Sequence, residues 1–170
     1  MAKNYKEVIS NKRLEAGKLM TKEQIIKCNV AIHTASATSG VCGAVPIPFA
    51  DAVPISVAQV AMVISLGKIF DQVITEAAAK GLIGAAASTF VGRNLVKVIP
   101  IVGWGVSAAV AAGVTEAIGW SIAVDMAKSY RKEWARLKSE KKYADAYAEA
   151  EYYKRADNYS DADADDFSEE

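Results

Sequence analysis

Prolines stand at only four positions in the 170-residue chain, 46, 48, 54 and 100, and they mark two places. Proline lacks a backbone donor and drives the residue before it out of the helical region, so each place ends the helix that reaches it. The stretches between are rich in Ala, Ile, Val and Leu, and they lack the alternating polar and apolar pattern of strands flanked by hairpin turns. The expected fold is all-α: two Ala/Gly-rich helical hairpins, a long C-terminal helix and a disordered acidic tail. The first hairpin would turn at V-P-I-P-F-A-D-A-V-P, residues 45 to 54, and the second at I-P-I-V-G-W-G, residues 99 to 105. In the first turn Pro46 and Pro48 end one helix, Asp51 suits a cap, and Pro54 fits the first position of the next helix.

Local signals place the remaining boundaries. A charged amphipathic helix is expected over residues 4 to 19, with Gly17 as its terminator, inside an N-terminal segment 1–24. T-K-E-Q puts Gln24 three residues after Thr21, the capping-box spacing, so the next helix starts there and runs to about Ala44. A third helix is expected from Pro54 to about Asp71. A fourth runs from Thr75 to Lys97, supported by Glu76 and Lys80 at i,i+4, and a last one from Val106 to Arg155. The segments are then a core of residues 25–127, a basic and aromatic extension 128–156, and residues 157–170, whose acidic low-complexity composition predicts disorder.

Formal charge sums to zero over the chain, but its placement is uneven. Residues 1–28 carry +4, 29–126 carry −1, 127–156 carry +4 and 157–170 carry −7. Two basic shoulders flank a nearly uncharged centre, a distribution that suits a surface-associated protein and also occurs in ordinary bundles. Cys28 and Cys42 lie fourteen residues apart, roughly 21 Å along one helix, too far to bridge. With no disulfide framework and no leader pattern in the first 28 residues, a reducing cytoplasmic setting is expected.

Small residues recur every fourth position as Gly84, Ser88 and Gly92, and again as Gly105, Ala109 and Gly113. Such faces let another helix approach closely, in membranes or in tightly crossed soluble helices. The uncharged runs 34–50, 52–67 and 98–115 are each near the lower limit for crossing a bilayer. Across residues 104–124 the aliphatic side chains favour insertion by about 2 to 4 kcal/mol, and Glu116 opposes it by about 2.5 to 3.5 kcal/mol. Trp104 and Trp120, roughly 24 Å apart along a helix, match the height of two interfacial belts. His33, Arg93 and Glu116 are the polar groups expected inside the apolar centre, and Arg93 could pair with Glu116 across the small-residue faces.

Catalytic signatures are missing. The single histidine, the absence of H-E-x-x-H, G-x-S-x-G and G-x-x-x-x-G-K-[ST], and a glycine-rich A-T-S-G-V-C-G-A without its lysine exclude the familiar hydrolase and phosphate-loop patterns. The spacings of Cys28, His33 and Cys42 along one helix cannot converge on one ion, so no metal or other cofactor is expected. After Asp125 the chain turns basic and aromatic. Lys128, Arg131, Lys132, Trp134 and Arg136 suit an anionic membrane surface, which is favoured over RNA because the run adjoins the most apolar part of the chain.

The run I-H-T-A-S-A-T-S-G-V-C-G-A-V-P-I-P-F-A-D-A, with Q-V-A-M-V-I-S-L-G-K-I-F, A-A-A-K-G-L-I-G, V-G-R, I-P-I-V-G and T-E-A-I-G-W after it, resembles the bacterial domain of unknown function 697 over roughly residues 25 to 127. Members of that family are helical, often follow an Era-like GTPase domain, and include inner-membrane proteins. The resemblance implies a non-enzymatic, GTPase-associated module on the cytoplasmic side of the inner membrane. A GTPase domain is absent from this chain, so the resemblance implies either a separate GTPase partner or action alone. The alternative is a cytoplasmic adaptor or homo-oligomeric bundle docking on a GTPase. Neither catalytic nor cofactor-binding residues are implied.

Overall fold

The computed structural model describes residues 3–43, 52–90 and 108–165. They form five helices and no strand: α1 Lys3–Leu19, α2 Lys22–Gly43, α3 Ala52–Ile69, α4 Glu76–Phe90 and α5 Ala108–Asp165. The all-α expectation holds. Two compact units divide the chain, Met1–Tyr130 and Arg131–Glu170.

Helix α2 begins as its capping box requires. Thr21 Oγ1 accepts from the Gln24 amide at 3.2 Å, and Gln24 Oε1 accepts from the Thr21 amide at 2.9 Å. Thr75 Oγ1 caps α4 by accepting from the Ala78 amide, and Lys80 pairs with Glu76 at 2.6 Å. Three boundaries differ from expectation. Gly17 lies inside α1, which continues to Leu19, since one glycine costs a helix only about 1 kcal/mol against alanine. Helix α3 starts at Ala52, so Pro54 is its third residue and not its first; amides of the first turn have no partner within the helix, and a proline there costs little. The acidic tail is helical as far as Asp165, because a helix already nucleated gains one hydrogen bond per added residue, and Ala156, Ala162 and Ala164 favour it. Pro46, Pro48, Asp51 and the second turn at 99–105 lie outside the described residues.

A turn the sequence marked only as a break ends α3. The Gln72 amide donates to the Gly67 carbonyl at 2.9 Å, a six-to-one closure that needs a left-handed residue between them, and Asp71 takes that conformation at φ 54°. A Cβ on Gly67 would meet Ile74 Cγ1 at 2.5 Å and the Gln72 carbonyl at 2.8 Å, so only glycine lets the chain return this tightly.

The core of the first unit gathers around the start of α5. Ala117, Ile118, Trp120, Ile122, Ala123, Val124, Met126 and Ala127 are buried with Ile32 from α2, Met62, Val63 and Leu66 from α3, Phe70, and Ala79 and Ala86 from α4. A helix apolar all round belongs in the middle of a bundle. Contacts fix the directions of its neighbours. Ile32 meets α5 at Gly119 and Ser36 meets it at Ala112, so α2 runs antiparallel to α5. Gln59 reaches Thr115 and Gln72 reaches Met126, so α3 runs parallel to α5 and antiparallel to α2, as a hairpin requires. Tyr5 packs on Gly113 and Glu15 pairs with Lys128, which makes α1 parallel to α5.

The second unit is helical to Asp165, and its described side chains, 131–152, are exposed. Arg136 bridges Glu133 at 2.6 Å and Glu140 at 3.8 Å along one face.

Candidate functional site

Three polar side chains from three helices meet inside the apolar bundle. Gln59 Nε2 donates to Thr115 Oγ1 at 3.0 Å, and the Thr115 hydroxyl donates to Ser39 Oγ at 3.1 Å. Thr115 and Ser39 are fully buried. One turn along, Ser36 donates to the Ala112 carbonyl at 2.9 Å. This satisfied layer ties α2, α3 and α5 in one register. Thr115→Val keeps the shape but orphans the buried Ser39 hydroxyl and the partly buried Gln59 amide, and is expected to lower stability by about 2 kcal/mol in urea titrations. The triple variant Ser39→Ala, Gln59→Leu, Thr115→Val is expected to recover most of that loss.

Glu116, next to this layer, faces His33 at 3.8 Å, too long for a hydrogen bond. The expectation that His33 and Glu116 are both buried needs correction. His33 is exposed and Glu116 is partly buried, because both lie at the margin of the bundle where water reaches them. Arg93 lies outside the described residues. Glu116 also lines an open cleft of about 520 Å³ with Lys6, Ile9, Ser10, Arg13 and Leu14.

The small-residue faces separate. Gly113 is buried beneath the Tyr5 ring, whereas Gly84 has no neighbour within 4 Å of a Cβ position. Ser88 and Ala109 are exposed, and Gly92 and Gly105 fall outside the described residues. Among the described residues, then, one face is covered closely by α1 at Gly113 and the other is open at Gly84. Gly119 makes another close approach: a Cβ there would meet Met62 Sδ at 2.8 Å and Ile32 Cγ1 at 2.9 Å. It stands six positions from Gly113 and hence on another face of α5, which is why a four-residue repeat misses it.

Trp120, one of the two tryptophans of the expected belt, is 1% exposed in the bundle; the Arg13 guanidinium covers its ring at 5.4 Å, and its indole N–H has no hydrogen-bond partner. Lys128, expected at a membrane surface, is held in the bundle unit by Glu15 at 2.6 Å. Lys128 and Lys12 together keep the Glu15 carboxyl below its ordinary range. Arg131, Lys132, Trp134 and Arg136 are exposed, with Arg136 offset by its two glutamates.

Outward faces of α2 and α3 carry the apolar surface. Ile26, Val30, Thr34, Ala37 and Val41 lie on one exposed stripe of α2, and Val57, Ala61 and Ser65 on one of α3. Of the described helices, Ala109–Tyr152 is long and apolar enough to cross a bilayer by length and composition, and 67% of its apolar window is buried in the structure. No group of His, Cys, Asp and Glu among the described residues could hold a metal ion. Burial pushes the Cys28 thiol up to about 12, so it is no nucleophile at neutral pH.

Compared with protein-family models, with curated proteins and with solved structures, the chain matches none.

Proposed function

We propose that this chain is a non-enzymatic helical module that associates with the cytoplasmic face of a bacterial inner membrane and works with a separate GTPase. The observation that carries the membrane part is the uncharged outward stripe of α2, where Ile26, Val30 and Val41 are 64%, 62% and 70% exposed. Val57 extends the same character to α3 at 63%. Basic residues of α1 and of the second unit supply attraction to anionic lipid. The GTPase part rests on the sequence resemblance over residues 25 to 127. A soluble adaptor bundle, alone or as a homo-oligomer, is the second reading, favoured by the burial of the apolar part of α5.

Flotation with vesicles containing phosphatidylglycerol separates the two. The chain is expected to rise with the vesicles, and Val30→Glu with Val57→Glu is expected to cut the bound fraction about tenfold or more, since a charge carried into apolar lipid costs at least ~1.4 kcal/mol. Both sites are solvent-exposed, so the variant keeps its fold. A chain that stays in the dense fraction supports the adaptor.

A further inference from the structure

Helix α1 lies over the buried first part of α5, and a small set of contacts holds it there. Its contacts with α5 extend from Gly113 to Lys128, about 23 Å of helix. They include the Tyr5 ring on Gly113, the Arg13 guanidinium over Trp120 and the half-open Glu15–Lys128 ion pair, while Ile9 and Leu19 pack partly buried on the core and Arg13 reaches Asn29 of α2 at 3.5 Å. Ala16 is the one described side chain of α1 that is buried, with Met20 following it. Lys6, Ile9, Ser10, Arg13 and Leu14 leave a cleft beside Glu116 instead of closing on it. A single half-open ion pair and one fully buried side chain mark a segment that opens well before the whole bundle unfolds.

Two further features suit release. The Thr21–Gln24 box completes the start of α2 from within, so α1 can leave without fraying it. Trp120, buried without a partner for its N–H, would find one at the headgroup level of a bilayer. With five basic and two acidic residues, α1 itself is drawn to an anionic surface, which competes for it against Lys128.

We infer that α1 is a detachable strap, and that an anionic bilayer draws it off α5 and uncovers Gly113 and Trp120 to lipid. The lipid-driven half rests on the membrane reading above; detachability does not.

Native-state hydrogen exchange of the full chain tests detachability without lipid. Amides of α1 are expected to open at least about tenfold more readily than those of α2 and of α5 up to Tyr130, and equal protection overturns the strap. The second arm uses Trp104→Phe with Trp134→Phe, leaving Trp120 as the reporter, and phosphatidylglycerol vesicles with brominated acyl chains. Bromine is expected to quench Trp120 in the free chain. In a chain whose Glu15 and Lys128 have been joined by a zero-length carbodiimide amide, vesicle flotation is expected to persist while quenching largely disappears. Equal quenching with and without the cross-link overturns lipid-driven release. Failure to float overturns the membrane reading and lipid-driven release together, and the exchange arm then still decides whether α1 detaches.

Discussion

Trp120→Ala is expected to lower the stability of the bundle by about 4 kcal/mol, seen as a fall in the urea midpoint with little change in slope. Trp120 heads the largest fully buried side chains and shares the core cluster with α2, α3 and α4 residues, so alanine leaves a cavity that several helices line and none can fill. The stacked Arg13 guanidinium loses its ring as well. A loss of this size is a large share of the 5 to 15 kcal/mol that domains possess. Trp120→Phe should cost much less, about 1 kcal/mol, because it keeps an aromatic ring and removes a buried N–H that has no partner. A Trp120→Ala cost below about 1 kcal/mol would mean that α5 is not the centre of the core.

Gly119→Val is expected to cost about 3 kcal/mol for the opposite reason. At this position α5 lies against Ile32 and Met62 with no room for a side chain. Met62 can swing its thioether aside, but Ile32 is branched at Cβ and fully buried, so the helices themselves must separate. Gly119→Ala is the informative intermediate. It gains about 1 kcal/mol of helix propensity and loses more than that to overpacking, for a small net destabilisation in the same titration.

What the sequence made legible was local. The Thr21–Gln24 box and the Glu76–Lys80 pair are set by residues within four positions of each other, and both are found where the spacing puts them. The end of α3 near Asp71 is legible in the sequence, but the left-handed conformation that closes it is not, because that position usually advertises itself with glycine and here an acid fills it. The polar layer was missed for a different reason. Thr115 lies 76 residues from Ser39 and 56 from Gln59, and no single helix pattern shows that these side chains meet. Trp120 shows the ambiguity of apolar patterning: the same run suits a bilayer or the middle of a bundle, and in the structure Trp120 is buried beneath Arg13 of α1. An apolar neighbourhood in sequence is not burial in space, and His33 sits at the rim of the bundle beside Glu116, 46% exposed.

The claim that the outward faces of α2 and α3 meet lipid is tested most directly by depth labels. An environment-sensitive nitrobenzoxadiazole probe would be attached singly at Val30→Cys, Val57→Cys or Lys80→Cys, in a chain carrying Cys28→Ala and Cys42→Ala. With phosphatidylglycerol vesicles, probes at 30 and 57 are expected to shift to the blue and to be quenched by brominated acyl chains, while the probe at 80, on the charged start of α4, stays in water. Aqueous spectra at 30 and 57 on a chain that floats with the same vesicles would contradict the account.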